Sequence, residues 1–149
     1  MINSGMCLML ILAPFCLAGA DGVSVTTKPG EAKQGRPVLS AQVLNTSQKP
    51  IQAIVFKVTP PPGGGMSLTT SRILGLGETK NSSLLDPGDS KEFGLQLQSG
   101  MRPEEMTVSI ECVYYADGSA TGPRKEEHAA HIKGMIAGIK AERARNQKQ

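Results

Sequence analysis

Aromatic side chains are scarce in this chain. Its 149 residues include no tryptophan, two tyrosines and three phenylalanines. A hydrophobic core must therefore be built mainly from valine, isoleucine, leucine, methionine and alanine side chains. Once the apolar N-terminal segment is set aside, the chain is long enough for one domain with a core of its own and too short for two.

Cysteine is also rare, which excludes a scaffold held together by disulfides. Two of the three cysteines, Cys7 and Cys16, lie in the N-terminal apolar segment, so Cys112 is the only one in the remaining chain. A single thiol cannot form an internal disulfide. Because Cys112 belongs to a predicted core strand, we interpret it as a small buried hydrophobe rather than as a nucleophile.

The one long apolar run predicts a secretory signal peptide over residues 1–20. It extends from Met6 to Ala18 and is shorter than the roughly 20 residues that span a bilayer. Ala18-Gly19-Ala20 fits the small-x-small pattern that signal peptidases cleave, and cleavage there would leave Asp21 as the new N-terminus. We therefore expect a secreted or periplasmic protein whose contact with a membrane is through the signal alone.

Two other readings of this run are less favoured. A buried core helix is disfavoured because Pro14 would break an interior turn. A lipid anchor on Cys16 would need a small preceding residue, and bulky Phe15 stands there. The first five residues contain no lysine or arginine, so only the terminal amine supplies the positive charge typical of a signal.

Basic charge is modest and collects at the C-terminus. The net charge is +3, and from Arg124 onward seven lysines and arginines oppose three glutamates, a net charge of +4. These charges are spread out and lack the dense cluster that phosphate binding needs. We expect a solvated helix face and no nucleic-acid partner.

Residues 21–122 alternate short β-like runs with turn-forming residues, the pattern of a β-sandwich. Leu39, Ala41 and Val43 are expected on one core face, and Ile54, Phe56 and Val58 on another. Asp117-Gly118 predicts a tight hairpin before a short return strand at Ser119–Thr121. The fold class predicted is all-β, an immunoglobulin-like antiparallel sandwich of about seven strands. The other six predicted runs are Gly22–Thr27, Pro37–Leu44, Ile51–Val58, Ser67–Leu74, Lys91–Gln98 and Met106–Tyr115.

The last segment changes period and predicts an amphipathic helix over residues 123–145, followed by a disordered tail at 146–149. Its apolar positions recur at helical spacing, while Gly134 and Gly138 weaken the helix by about 1 kcal/mol each. Such a helix gains stability by docking on its own domain or by pairing with another chain, so helix-mediated self-association is one hypothesis. The apolar positions are Ile132, Met135, Ile136 and Ile139.

Few residues form a pattern that carries chemistry. His128 and His131 lie three apart, so one helix face could offer both to a metal, although no third ligand follows at a recognised spacing. No serine, threonine or lysine stands in a nucleophile or phosphate-binding motif. We therefore expect no enzyme, no cofactor and no metal. The alternative is a small metal-binding protein or hydrolase that uses His128 and His131.

Asn45-Thr46-Ser47 and Asn81-Ser82-Ser83 match the N-glycosylation sequence. They would matter only in a eukaryotic secretory pathway, and the sequence leaves open whether Asn45 and Asn81 carry glycans.

Residues 37–97 resemble bacterial extracytoplasmic immunoglobulin-like modules of the FxLYD family. The resemblance rests on the strand-turn-strand segment Gln42–Ile51 and on Leu85-Asp86-Pro87-Gly88 before a strand. Phe56-Lys57-Val58-Thr59-Pro60 falls where the motif that names the family lies. The resemblance implies a non-catalytic binding or structural module of the cell envelope, with another protein or an envelope component as its partner and with no site residues to carry over.

Overall fold

The structure is a computed structural model that describes residues 21–74 and 83–149. The predicted signal peptide, Asn81 and most of the stretch around it lie outside the described residues. Within the described residues, no helix contains an apolar stretch long enough to cross a membrane.

Seven strands form where the sequence predicts β structure. Each observed strand overlaps a predicted run, and the ends differ by up to two residues. The strands are β1 (Val23–Pro29), β2 (Val38–Asn45), β3 (Ile51–Thr59), β4 (Leu68–Ile73), β5 (Ser90–Gln96), β6 (Thr107–Tyr115) and β7 (Ala120–Thr121).

The strands form two antiparallel sheets. One has the order β1-β2-β5 and the other the order β4-β3-β6-β7, so the consecutive strands β2 and β3 belong to different sheets. Gly118, at a φ of 85°, supplies the left-handed turn residue that the β6–β7 hairpin requires. Pro60–Gly65 lies between β3 and β4 outside any strand, as proline chemistry predicts.

One apolar core joins the two sheets. The predicted core residues Leu39, Ala41 and Val43 of β2 are buried, as are Ile54, Phe56 and Val58 of β3. The rings of Phe56 and Phe93, one from each sheet, stand 5.8 Å apart and are tilted by 53°. One face of β3 packs on the first sheet and the other is covered by the C-terminal helix, so both faces are buried, which explains its nearly continuous apolar sequence.

The α-helix α1 (Lys125–Asn146) packs on the outer face of the second sheet, and a one-turn 3-10 helix, Pro103–Glu105, precedes β6. Ile132 and Ile136 are the buried residues of α1, and they contact a second apolar cluster formed by Ala53, Val55, Cys112 and Tyr114. The helix therefore docks on its own domain.

Three details of the predicted helix are corrected. Met135 is 41 % exposed, so the buried stripe is narrower than the spacing suggests. Pro123 precedes the helix instead of occupying its first turn. Asn146, placed in the tail, is helical.

Candidate functional site

The most concentrated set of ionisable side chains lies where α1 begins. It is built around Glu111 of β6, whose carboxylate-bearing side chain is buried. In the pairing of β3 with β6, Val55 lies opposite Cys112 and Phe56 lies opposite Ile110, so one residue of β6 is left without a partner between the two pairs. Glu111 is thus an extra residue in β6, a β-bulge. The bulge places both Glu111 and Cys112 toward the helix, whereas strict alternation would have turned one of them into the core.

Three groups surround the Glu111 carboxylate, and together with Glu127, which pairs with one of them, these residues are called the Glu111 cluster. His128 Nε2 lies 2.9 Å from Oε2, while Lys57 Nζ and Arg124 Nη1 lie 3.9 and 4.0 Å from Oε1. Arg124 also pairs with Glu127 one helical turn further on. A buried carboxylate needs such partners, because an unpaired buried charge is strongly destabilising.

The backbone supports this arrangement at Gly122. The Arg124 N–H donates a 3.0 Å hydrogen bond to the Glu111 carbonyl oxygen, which ends the strand pairing and starts the helix. Gly122 has a φ of 118°, and a Cβ atom there would lie 2.4 Å from that same carbonyl oxygen. Glycine is therefore required where the chain turns from β7 into α1.

Cys112, next to Glu111, is fully buried beneath α1. Burial raises the pKa of its thiol from 9.0 to about 11. The thiol therefore stays protonated at neutral pH, and its solvent-inaccessible position suits the predicted role of a small hydrophobe.

The two histidines proposed as metal ligands have different surroundings. His128 is largely buried and contacts Glu111, while His131 is exposed on the helix. Within residues 21–74 and 83–149, histidine, cysteine, aspartate and glutamate side chains form no group of three or more that could hold a metal ion. The Glu111 cluster joins the helix to the sheet, and the pair of Glu111 and His128 is its shortest contact between the two elements.

A second polar cluster ties two loops together at the end of the sandwich opposite the β3–β4 loop. Lys49 Nζ, in the β2–β3 turn, lies 2.8 Å from Asp117 Oδ2 in the β6–β7 hairpin and 5.6 Å from the centre of the Tyr115 ring. Hydrogen bonds from Lys49 and Ser119 lower the pKa of the Asp117 carboxyl below its usual range. These exposed contacts restrain the loops rather than form a cavity.

Asn45 is buried and fully hydrogen-bonded. Its Nδ2 donates to the carbonyl oxygens of Lys49 and Leu85, at 2.9 and 3.2 Å, and its Oδ1 accepts from Ser47. A glycan on Nδ2 would have to occupy this buried position. The folded structure therefore excludes glycosylation at Asn45.

Glu111 is not among the candidate residues predicted from the sequence. It stands as a single charged residue inside the apolar segment Ile110–Tyr115, and that interruption is the signal that could have marked it. Its partner could not have been chosen from the sequence, because the bulge and the crossing of α1 decide which side chains it meets.

Comparison of the chain with known protein families, with curated proteins and with solved structures found no match.

Proposed function

We propose that the protein is an exported, non-catalytic binding or structural module of the cell envelope or periplasm, with an immunoglobulin-like topology. The observation that carries the proposal is the strand order. If β1, β2 and β5 correspond to strands A, B and E, then β4-β3-β6-β7 corresponds to C′-C-F-G. By analogy with such sandwiches, the two sheets would serve as a rigid scaffold and the loops at its ends would contact a partner.

The use made of the ionisable residues supports a non-catalytic role. The buried carboxylate of Glu111 contacts His128 on α1, and Arg124 at the start of the helix lies 4.0 Å from the same group. These contacts hold α1 against the sheet. A general acid or base would instead have to present its proton-carrying atom to a substrate in an open cleft.

Membership of the FxLYD family is part of the proposal, and it rests on the residues of segment 37–97. In the structure, Gln42–Ile51 contains the end of β2, its turn and the start of β3, and Leu85–Gly88 precedes β5. These strand and turn positions are what the proposed membership rests on.

Export is tested by expressing the full chain in a bacterial host, fractionating the cells and sequencing the N-terminus of the product. We expect the product outside the cytoplasm with Asp21 as its first residue, because Ala20 ends the small-x-small pattern. The matched control is Leu10→Arg, which places a charge in the apolar run and should retain the uncleaved chain in the cytoplasm. An uncleaved wild-type chain in the cytoplasm would contradict the proposal.

Binding is tested separately by crosslinking in intact cells. Crosslinks from the exported protein to the same envelope component in repeated experiments would support a binding module. These crosslinks should disappear when the protein is denatured before the crosslinker is added. Hydrolytic turnover by the purified protein that is lost in His131→Ala would contradict the proposal and favour the alternative.

A further inference from the structure

The outer strands β4 and β5, one from each sheet, lie side by side at one side of the sandwich. Within the described residues, β4 pairs with β3 alone and β5 with β2 alone, so each has one edge free of strand pairing. Arg72 of β4 connects these two edges, because its Nη2 donates a 2.6 Å hydrogen bond to the carbonyl oxygen of Gly94 in β5. Free strand edges matter because their N–H and C=O groups can pair with a strand of another chain.

The hydrogen bonds of β4 show which of its backbone groups point to the free edge. The Leu74 N–H donates to the Gln52 carbonyl oxygen of β3 at 2.9 Å, and alternate residues of an antiparallel strand point their N–H and C=O groups to the same side. The even-numbered residues of β4 therefore point to β3. The N–H and C=O groups of Thr69, Ser71 and Ile73 point to the free edge.

The Arg72 guanidinium holds an acceptor on each of the two free edges. Its Nη1 donates to the Ser71 carbonyl oxygen at 3.0 Å and to Thr70 Oγ1 at 3.1 Å. The Gly94 carbonyl that Nη2 contacts also points to a free edge, since the neighbouring alternate set, which includes Leu97, points to β2. One side chain thus closes the gap between the two sheets.

The other strand edges differ from that of β4 in their sequence or length. Strand β7 has two residues, and β1 ends in Lys28-Pro29, two residue types that hinder pairing at an edge. Strand β4 contains neither lysine nor proline, and its register with β3 has no shift. Its one charged residue is Arg72, so this side chain is the feature of β4 that can oppose pairing.

The free edge of β4 fits a second copy of itself. In an antiparallel pair with a two-fold axis at Ser71, this residue lies opposite its own copy and Thr69 lies opposite Ile73, so the free N–H and C=O groups meet. Arg72 would lie opposite Thr70, and no like charges would face each other. The pairing would nevertheless remove the guanidinium from the Ser71 carbonyl oxygen, and hydrogen bonds to charged groups are stronger than those between neutral groups.

We propose that Arg72 guards the free edge of β4 against pairing with a second copy of this chain. Its guanidinium occupies the Ser71 carbonyl oxygen on one edge and the Gly94 carbonyl oxygen on the other. Without it, two β4 strands join and the second sheet runs through both copies. The inference goes beyond the proposed function and does not depend on it.

Self-association of the full chain, measured by sedimentation velocity over a range of concentrations, tests the proposal. All variants also contain Cys7→Ser and Cys16→Ser and are compared at the same stage of processing. We expect Arg72→Thr to lower the dimer dissociation constant at least about tenfold, the value of a hydrogen bond to a charged group. Arg102→Thr is the matched control, since it removes the same charge from an exposed pair with Glu105 and should leave association unchanged.

Disulfide formation locates the contact. In the Arg72→Thr background, Ser71→Cys should crosslink two copies, because opposite residues of a hydrogen-bonded pair have Cα atoms about 5.5 Å apart, within the range of a disulfide. Thr69→Cys is the control. Its two copies would lie about 13 Å apart along the strands, too far for a disulfide.

Circular dichroism checks that each variant folds. Should Arg72→Thr not fold, Arg72→Lys takes its place, because lysine keeps the charge but lacks the planar fork that reaches both edges. Equal dissociation constants for the Arg72 variant and Arg102→Thr would overturn the proposal. So would crosslinking of Thr69→Cys as readily as of Ser71→Cys, since the copies would then meet elsewhere.

Discussion

Glu111 shows how one residue can decide the position of a whole helix. Its carboxylate is buried on the outer face of a sheet, a position that a charge occupies only when it is paired and hydrogen-bonded. Besides Lys57 of β3, the pairing comes from His128 of α1 and from Arg124, which directly precedes the helix, so the burial of Glu111 and the docking of α1 depend on each other.

Replacing Glu111 should therefore destabilise the protein even when shape is kept. Glu111→Gln retains the size of the side chain and removes its charge, which leaves the largely buried His128 with a weaker partner. We expect a loss of about 1–3 kcal/mol in the free energy of unfolding, measured by urea denaturation. Glu105→Gln, in an exposed pair with Arg102, is the control and should change stability by less than about 0.5 kcal/mol. Equal effects would mean that Glu111 does not anchor the helix.

The raised pKa of the buried Cys112 thiol predicts that the folded protein loses stability at high pH. The folded thiol has a pKa of about 11 against 9.0 for the unperturbed group, so between these values the unfolded chain has lost a proton that the folded chain keeps. Stability contributed by the protonated thiol is present below pH 9 and falls as the pH rises toward 11, by at most about 2.7 kcal/mol. The difference in unfolding free energy between wild type and Cys112→Ala should shrink by that order between pH 8 and pH 11. A difference that stays constant would contradict burial of the thiol.

At the scale of elements, α1 buries few of its side chains against the sheet. The helix has 22 residues, about 33 Å in length, yet Ile132 and Ile136 are the residues it buries. Tertiary packing of a few side chains gives most helices in proteins their stability. The two isoleucines thus provide the buried apolar contact between α1 and the sheet, beside the polar contact of His128 with Glu111.

Ile136→Ala should cost about 2–5 kcal/mol, the range for removing a buried isoleucine, as measured by chemical denaturation. Met135→Ala, one position away and 41 % exposed, is the control and should cost less than about 0.5 kcal/mol. The Cys112 thiol provides a second readout, since loosening of the helix in Ile136→Ala should speed its labelling. Unchanged labelling together with unchanged stability would show that α1 is not docked on this face.

Gly122, in the turn between β7 and α1, and Gly134, within the helix, should respond in opposite ways to replacement by alanine. Gly122→Ala would force a Cβ atom against the Glu111 carbonyl at a φ of 118°, so we expect a loss of more than about 2 kcal/mol in thermal or urea unfolding. Gly134→Ala lies in the exposed helix interior with nothing within 4 Å of the new atom, and it should stabilise by up to about 1 kcal/mol. If both substitutions shifted stability in the same direction, the turn would not have the geometry described.

For the whole molecule, the sequence predicted the elements better than their assembly. Alternation and turn residues were enough to find seven strands and the buried set Leu39, Ala41 and Val43, because these signals are local. The bulge at Glu111 and the exposure of Met135 depend on contacts between distant segments, which periodicity does not contain.

The proposed function rests on the strand order, so strand pairing is the property to measure. Nuclear Overhauser contacts between backbone protons in the isotope-labelled protein report directly which strands are neighbours. The account predicts contacts between β2 and β5, as at Leu39 and Leu95, and between β3 and β6, as at Lys57 and Ser109, with none in a β2–β3 ladder. A continuous β2–β3 ladder in a single sheet would contradict the immunoglobulin-like topology and the proposal built on it.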